Sequence, residues 1–157
     1  MAANSLRDAA VQLRRWAIDQ GLPLWASAGF DRQHKRFVER LSMQGVPDTD
    51  VPVRLLVQCR QIYSYALAAR RGWHDGAHEL AVEAFASMIR DYHRRDGRAG
   101  WAFSIHRDGA VADARRDVYS HAFLLLAAGS YVEATGDRSG RPLADRDAER
   151  GRGLGRV

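Results

Sequence analysis

Residues 54–69 read RLLVQCRQIYSYALAA. From Leu55 to Ala69 every side chain is apolar, small or uncharged except Arg60. A breaker-free run without a polar face predicts a helix, about Val53 to Arg71, that is buried on most of its sides. A charge placed inside such a helix is costly unless something binds it. Arg60 is therefore expected to pair with a buried acid, to reach the helix edge, or to grip a ligand.

A second segment of this kind, DVYSHAFLLLAAGSYVEA, runs from Asp117 to Ala134 and has no formal charge between Val118 and Val132. Two amphipathic helices alternate with these buried ones. The first spans about Ser5 to Gln20, with Asn4 or Ser5 as its cap, Leu6, Ala9, Ala10, Leu13, Trp16 and Ala17 as its apolar stripe, and Gly21 as its stop, with Pro23 beyond. The other spans about Gly76 to Arg94. Leu80, Ala84, Met88 and Tyr92 form its stripe, and Glu79, Glu83, Arg90, Asp91 and Arg94 lie off it. The order wet, buried, wet, buried predicts a two-layer stack of helical hairpins.

The linkers repeat too. Gly29 in AGF and Gly100 in AGW are 71 positions apart, and Gly45 in QGVP and Gly109 in RDGA are 64 apart. The RDGA turn, between WAFSI and AVAD, predicts a β-hairpin, and QGVP gives a weaker signal of the same kind. A unit of amphipathic helix, aromatic-glycine turn, short hairpin and buried helix thus occurs twice. Two such units leave apolar faces at both ends, and a closed toroid of six needs on the order of 400 residues. The expectation is an all-α fold holding two of six hairpins.

The net charge of +5 is placed unevenly. Residues 138–157, RSGRPLADRDAERGRGLGRV, hold six arginines against three acids, leaving +2 for the rest. This stretch has four glycines and no aromatic side chain, so it reads as a disordered tail and not as a nucleic-acid surface. No nucleic-acid partner is expected. No apolar run is long enough to span a bilayer and the N-terminus has no signal-like apolar core, so the chain is expected in the cytoplasm, away from membranes. The single cysteine, Cys59, reads as a small buried hydrophobe.

Five pieces carry a family resemblance: AGF (28–30), RLLVQCRQIYSYALA (54–68), GW (72–73), AGWAFSIHRDGAVAD (99–113) and DVYSHAFLLLAAGSYVEATGD (117–137). In this order they resemble the N-acylglucosamine 2-epimerase family, which includes cellobiose epimerases and mannose-type aldose-ketose isomerases. The resemblance implies a partial (α/α)6 barrel whose inner helices line a sugar pocket. DRQHKRFVERLSMQGVPDTDVP is longer and more charged than the family's hairpin, and residues 138–157 match nothing in it. A frameshift or premature stop would produce such an ending, so the chain reads as truncated after residue 137.

The resemblance implies proton transfer at carbon 2 of an aldose or its ketose partner, with no redox cofactor. The substrate that the resemblance implies is a mono- or disaccharide. In such enzymes the acid and base histidines lie on later inner helices, and the chain alone is expected to be inactive. Arg60 matches the arginine aimed at substrate oxygens, and Tyr119 lies near a sugar-binding tyrosine. His121 is the third substrate-binding candidate, although helix rotation turns it about 200 degrees from Tyr119. Tyr119, Phe123, Leu126 and Ser130 share a face.

Other features read as structure. His34, His74, His78 and His93 lie on solvated faces, and His106 edges a hairpin. His74 and His78 have the i, i+4 spacing of a metal pair without a third ligand, so no metal is expected. Trp25, Phe30 and Trp101 read as packing under the turns more than as a sugar platform. Two rival readings are a non-catalytic module that self-associates through exposed inner-helix faces, and part of a glycosidase-type barrel using Asp113 and Asp117.

Overall fold

A computed structural model describes residues 5–137. The expected disordered tail, 138–157, lies outside the described residues. In chain order the elements are α1 (Leu6–Trp16), a π-helical turn (Ala17–Gly21), α2 (Leu22–Ser27), β1 (Phe30–Asp31), β2 (Arg36–Phe37), β3 (Val53–Arg54), α3 (Leu55–Arg71), α4 (Ala77–Tyr92), β4 (Ser104–Ile105), β5 (Val111–Asp113) and α5 (Val118–Thr135). Helices dominate and the strands are two or three residues long, as expected.

Ser5 caps α1: its hydroxyl accepts from the Asp8 N–H, and the Asp8 carboxylate accepts from the Ser5 N–H at 3.2 Å. The expected stop at Gly21 does not occur. The Leu22 N–H reaches the Ala17 carbonyl, five residues back, so the helix widens there. That wider turn accommodates Pro23, which lacks an N–H and whose ring crowds the carbonyl of the preceding turn in a regular helix. The helix therefore continues to Ser27. At Gly29 the backbone passes so close to Trp25 that a Cβ would lie 2.3 Å from the indole ring and 2.9 Å from the Trp25 Cα.

The α4 stripe of Leu80, Ala84, Met88 and Tyr92 is buried as read, but Asp91, placed off it, is buried too. Helices α3 and α5 differ from expectation. Each buries one stripe and not most of its circumference: Leu55, Cys59, Ile62 and Ala66 on α3, and Ser120, Leu124, Ala127 and Tyr131 on α5. The cause is coverage. Helix α3 packs on α4 and α5, and α4 also touches α5, so these contacts cover only one side of the inner pair. The other side of α5, with Val118, Leu125 and Leu126, is open. Helix α1 likewise has no buried residue, so its apolar stripe is also uncovered.

The RDGA hairpin forms: β4 and β5 are antiparallel, and Gly109 at φ +85 closes the turn with its N–H on the His106 carbonyl. Around QGVP, Leu41 and Pro47 form an isolated bridge. Two pairings carry no sequence signal. Charged DRQHKRF folds into the β1–β2 hairpin, opposing Phe30 to Phe37. Strand β3 pairs with β4, opposing Val53 to Ile105, and so ties the first helical unit to the second. Phe37 then stacks on Tyr65 of α3 at 5.0 Å, and Phe85 of α4 on Tyr131 of α5 at 4.0 Å.

Candidate functional site

The two inner helices bring Arg60 and Tyr119 together. The Arg60 guanidinium donates through Nη2 to the Tyr119 hydroxyl at 3.4 Å, and its central carbon lies 4.8 Å from the Phe123 ring centre. Phe123 meets Tyr119 edge-on at 5.1 Å. The residues come from different helical units, 59 positions apart, and join only because α3 and α5 pack side by side.

Arg60 is not the buried charge that the apolar run implies. It is exposed, on the open side of α3, so its charge keeps contact with water. Among the described residues no carboxylate pairs with it. A cation over one ring and against one phenol, with unused donors facing outward, suits a ligand offering both apolar C–H faces and oxygen acceptors. Tyr63, exposed and one turn along α3, and Ser64, whose hydroxyl donates to the Arg60 carbonyl at 2.9 Å, extend the same side of the helix. Their i+3 and i+4 spacing from Arg60 was the available signal.

His121 faces elsewhere. Its Nδ1 lies 2.7 Å from the Asp117 carbonyl oxygen, and its Nε2 lies 3.5 Å from the position a Gly100 Cβ would take. The rotation between positions 119 and 121 thus separates the two side chains as the helix geometry requires. Phe30 and Trp101 are buried, Trp101 against His93 at 4.8 Å, so both pack under turns. Asp117 caps α5 by accepting from the Ser120 N–H at 2.8 Å, and Asp113 accepts from the Arg115 N–H at 2.9 Å, which occupies the two acids of the glycosidase reading locally. No group of three or more His, Cys, Asp or Glu able to hold a metal occurs among the described residues, and none of their helices is long and apolar enough to cross a membrane. Burial pushes the Cys59 thiol up to about 12, and its sulfur lies 3.7 Å from that of Met88.

A buried polar cluster lies where β2 meets α3 and α4. Arg36 on β2 and Asp91 on α4, 3% and 5% exposed, form an ion pair at 2.9 Å. Arg36 also donates to the backbone carbonyls of His106 and Arg107, fastening the β4–β5 hairpin. Gln58, two residues before Arg60, accepts from the Phe37 N–H at 3.0 Å and donates to the Phe37 carbonyl at 2.7 Å. Its amide thus completes β2 from the side and fixes the first turn of α3, one turn before Arg60.

The comparisons agree with this architecture. Residues 37–149 match the model of the N-acylglucosamine 2-epimerase family, so the match takes in part of the stretch read above as outside that family. A mannose-6-phosphate isomerase of Rhizobium meliloti (strain 1021) is 36% identical over 136 residues, covering 87% of this chain and 34% of the relative. A D-mannose isomerase of Thermobifida fusca is 36% identical over 107 residues, covering 66% and 24%. The chain thus spans about a third of the first of these curated relatives and about a quarter of the second. Among solved structures, cellobiose 2-epimerase from Spirochaeta thermophila DSM 6192 superposes with a TM-score of 0.78 at 24% identity, covering 94% of this chain and 37% of that one. A sugar epimerase from a ruminal bacterium gives 0.76 at 23% identity, covering 89% and 36%. With a family model matched over well more than half of its length and the barrel fold shared with these epimerases, the chain belongs to the N-acylglucosamine 2-epimerase family.

Proposed function

We propose that these residues form the sugar-gripping part of a 2-epimerase or aldose-ketose isomerase barrel, acting on a mono- or disaccharide in the cytoplasm. The observation that carries this reading is the meeting of Arg60 and Tyr119 across α3 and α5, with the guanidinium open to solvent and its remaining donors unused by any acid among the described residues. Abstraction of the carbon-2 proton leaves negative charge on the substrate oxygens. A planar, permanently charged guanidinium can hold two such oxygens, and the tyrosine hydroxyl can donate to or accept from a third. Phe123 offers an apolar face to the C–H side of the sugar.

The proton itself needs groups that change charge near neutral pH. His121 is engaged with the Asp117 carbonyl and turned away from the pair, so it is not assigned that role. In this reading the acid and base histidines are supplied from outside these 157 residues, and the chain alone binds sugar without turning it over. Titration of the purified chain with mannose and with cellobiose, followed by nuclear magnetic resonance, tests it. Shifts are expected at Arg60, Tyr119 and Phe123, and Arg60→Ala weakens binding about tenfold, roughly 1.4 kcal/mol. Shifts confined to other faces, or conversion of mannose to fructose by this chain, would overturn the assignment.

A second reading is favoured by the uncovered side of α5: self-association of the chain through its inner-helix faces.

A further inference from the structure

Tyr119 is placed by the backbone at the start of α5 more than by packing. It is the second residue of that helix and is exposed; its ring meets Phe123 one turn on, and its hydroxyl meets the Arg60 guanidinium. The first turn of a helix frays unless its free N–H groups and the chain entering it are held. The Arg60–Tyr119 hydrogen bond, at 3.4 Å, is longer than the usual N–H to oxygen range, so a small shift of that turn breaks it. One side chain holds the entering chain. Arg116, next to the Asp117 cap and three residues before Tyr119, turns back onto the loop between α4 and β4. Its Nε donates to the Ala99 carbonyl at 2.9 Å. Nη1 donates to the Asp96 carboxylate at 3.1 Å and the Ala114 carbonyl at 2.6 Å, and Nη2 to the Asp96 carboxylate at 2.6 Å and the Arg98 carbonyl at 3.2 Å. All five guanidinium N–H groups are thereby used. The loop they grip is itself anchored to α4: the Arg94 N–H donates to the Gly100 carbonyl at 2.9 Å and the Ala102 N–H to the Tyr92 carbonyl at 3.0 Å.

We propose that Arg116, paired with Asp96, is the positioning residue that holds Tyr119 against Arg60 and so sets how tightly the pair grips a sugar. The inference deepens the sugar-binding reading and rests on it. The joint is more than the helix needs in order to form. Asp117 already caps α5 through the Ser120 N–H at 2.8 Å, and His121 Nδ1 engages the Asp117 carbonyl at 2.7 Å. What Arg116 adds is the place of the first turn of α5 relative to α4, and through it the reach of Tyr119 toward α3. Arg60, the sixth residue of α3, is held separately: the Leu55 N–H donates to the Phe103 carbonyl at 2.9 Å, and Gln58 is bound to Phe37. Loss of Arg116 therefore moves one member of the pair and not the other. Lysine cannot substitute, because its three donors leave one point, whereas the planar fork meets one carboxylate and three carbonyls from two segments at once.

Nuclear magnetic resonance of the full chain tests it, first without sugar. The parent is expected to show a nuclear Overhauser contact between the Tyr119 ring and the Arg60 side chain. Arg116→Gln is expected to lose it while keeping the helical circular dichroism spectrum, and so is Arg116→Lys, which keeps the charge but not the fork. The Arg60–Phe123 contact, one turn deeper in α5, is expected to remain in both. Gly29→Ala is the control: it lowers stability at the turn against Trp25 and is expected to keep both contacts. With mannose or cellobiose added, Arg116→Gln is expected to weaken binding about tenfold. In a Tyr119→Ala chain, where no phenol remains to be placed, the same substitution is expected to cost less than about twofold. Parent-like contact and affinity in both Arg116 variants, equal losses in Gly29→Ala, or the full cost of Arg116→Gln in the Tyr119→Ala chain would sink the proposal. A parent that binds neither sugar overturns the functional reading, and the sugar-free contact still decides whether Arg116 places Tyr119. Sugar shifts at Arg60 in the parent, with the Tyr119 contact intact in Arg116→Gln, leave the functional reading standing while the positioning role fails.

Discussion

Gln58 and Arg60 are near neighbours on α3 with opposite surroundings, and the contrast shows what a single polar residue in an apolar helix can do. Gln58 is fully buried and serves both backbone groups of Phe37. Gln58→Leu keeps roughly the volume but strands a buried donor and acceptor, and each such group costs about 1–3 kcal/mol. A loss of about 2–6 kcal/mol is expected in urea unfolding, with the helical spectrum of the folded state unchanged. Arg36 and Asp91 are coupled more tightly. Asp91→Ala leaves a buried guanidinium without its carboxylate and is expected to cost about 3–5 kcal/mol, whereas the double replacement Arg36→Met, Asp91→Leu recovers only part of that loss in the same measurement, because the His106 and Arg107 carbonyls lose their donor. Arg60 stood out in the sequence because it was the lone charge in its run, and Tyr119 because the family resemblance places a sugar-binding tyrosine near it. Their approach depended on α3 meeting α5, which periodicity implied only through the two-layer stack. The Arg36–Asp91 pair had no comparable signal. Arg36 sits among five other polar or charged residues in DRQHKRF, and Asp91 falls off the apolar stripe of α4, so each looked solvated until the fold joined positions 55 residues apart.

At the scale of elements, the four helical segments were legible because periodicity marked their bodies and local chemistry marked many of their ends: Ser5 and Asp117 as caps, Gly76 at a positive φ before α4, and Gly72 and Gly136 at positive φ after α3 and α5. The π-helical turn was not. A glycine followed two residues later by proline reads as a stop, and only the i to i−5 bond from Leu22 to Ala17 lets the chain continue. The β3–β4 pairing was invisible for another reason: two-residue strands have too little alternation to read, and their register is set by the helices that bring them together. The AGF turn can be tested directly. Gly29→Ala would place its Cβ against the ring and the backbone of Trp25, and the Trp25 Cα cannot swing away as the end of a flexible side chain can. Overpacking of this kind costs about 1–3 kcal/mol. The thermal midpoint is expected to fall by several degrees, while Gly97→Ala, where nothing lies within 4 Å and φ is +76, measures the cost of backbone strain alone.

For the whole molecule, the repeat and its apolar ends were readable as a fraction of a ring, but which faces stay open was not. Charge-free α5 looked buried all round because sequence records what a helix is compatible with, not how many neighbours it has. Electrostatics also acts at this scale, through carboxylates spread over the chain. The Arg116 hydrogen bonds hold Asp96 down to about 2, the Arg40 hydrogen bond lowers Asp48, and the Ser120 hydroxyl and N–H lower Asp117. For Asp31, burial opposes ionisation, but His34 more than offsets it and the net shift is downward. All four folded-state values lie below the ordinary 3.8, so the folded state binds fewer protons than the unfolded chain in this range. Stability from these groups is therefore fully present above about pH 4 and is lost as the pH falls through the folded values, last for Asp96 near 2. The thermal midpoint is expected to be nearly flat from pH 7 to 5 and to drop steeply from pH 4 to 2. In Asp96→Asn the drop should be shallower below pH 3, because the group that titrates last has been removed, and the variant should be less stable than the parent at pH 7. Because Asp48 and Asp96 pair with arginines near the surface, 1 M salt should flatten both curves by screening. A parent whose midpoint is unchanged between pH 4 and 2 would mean that these four carboxylates are not held ionised by the neighbours named.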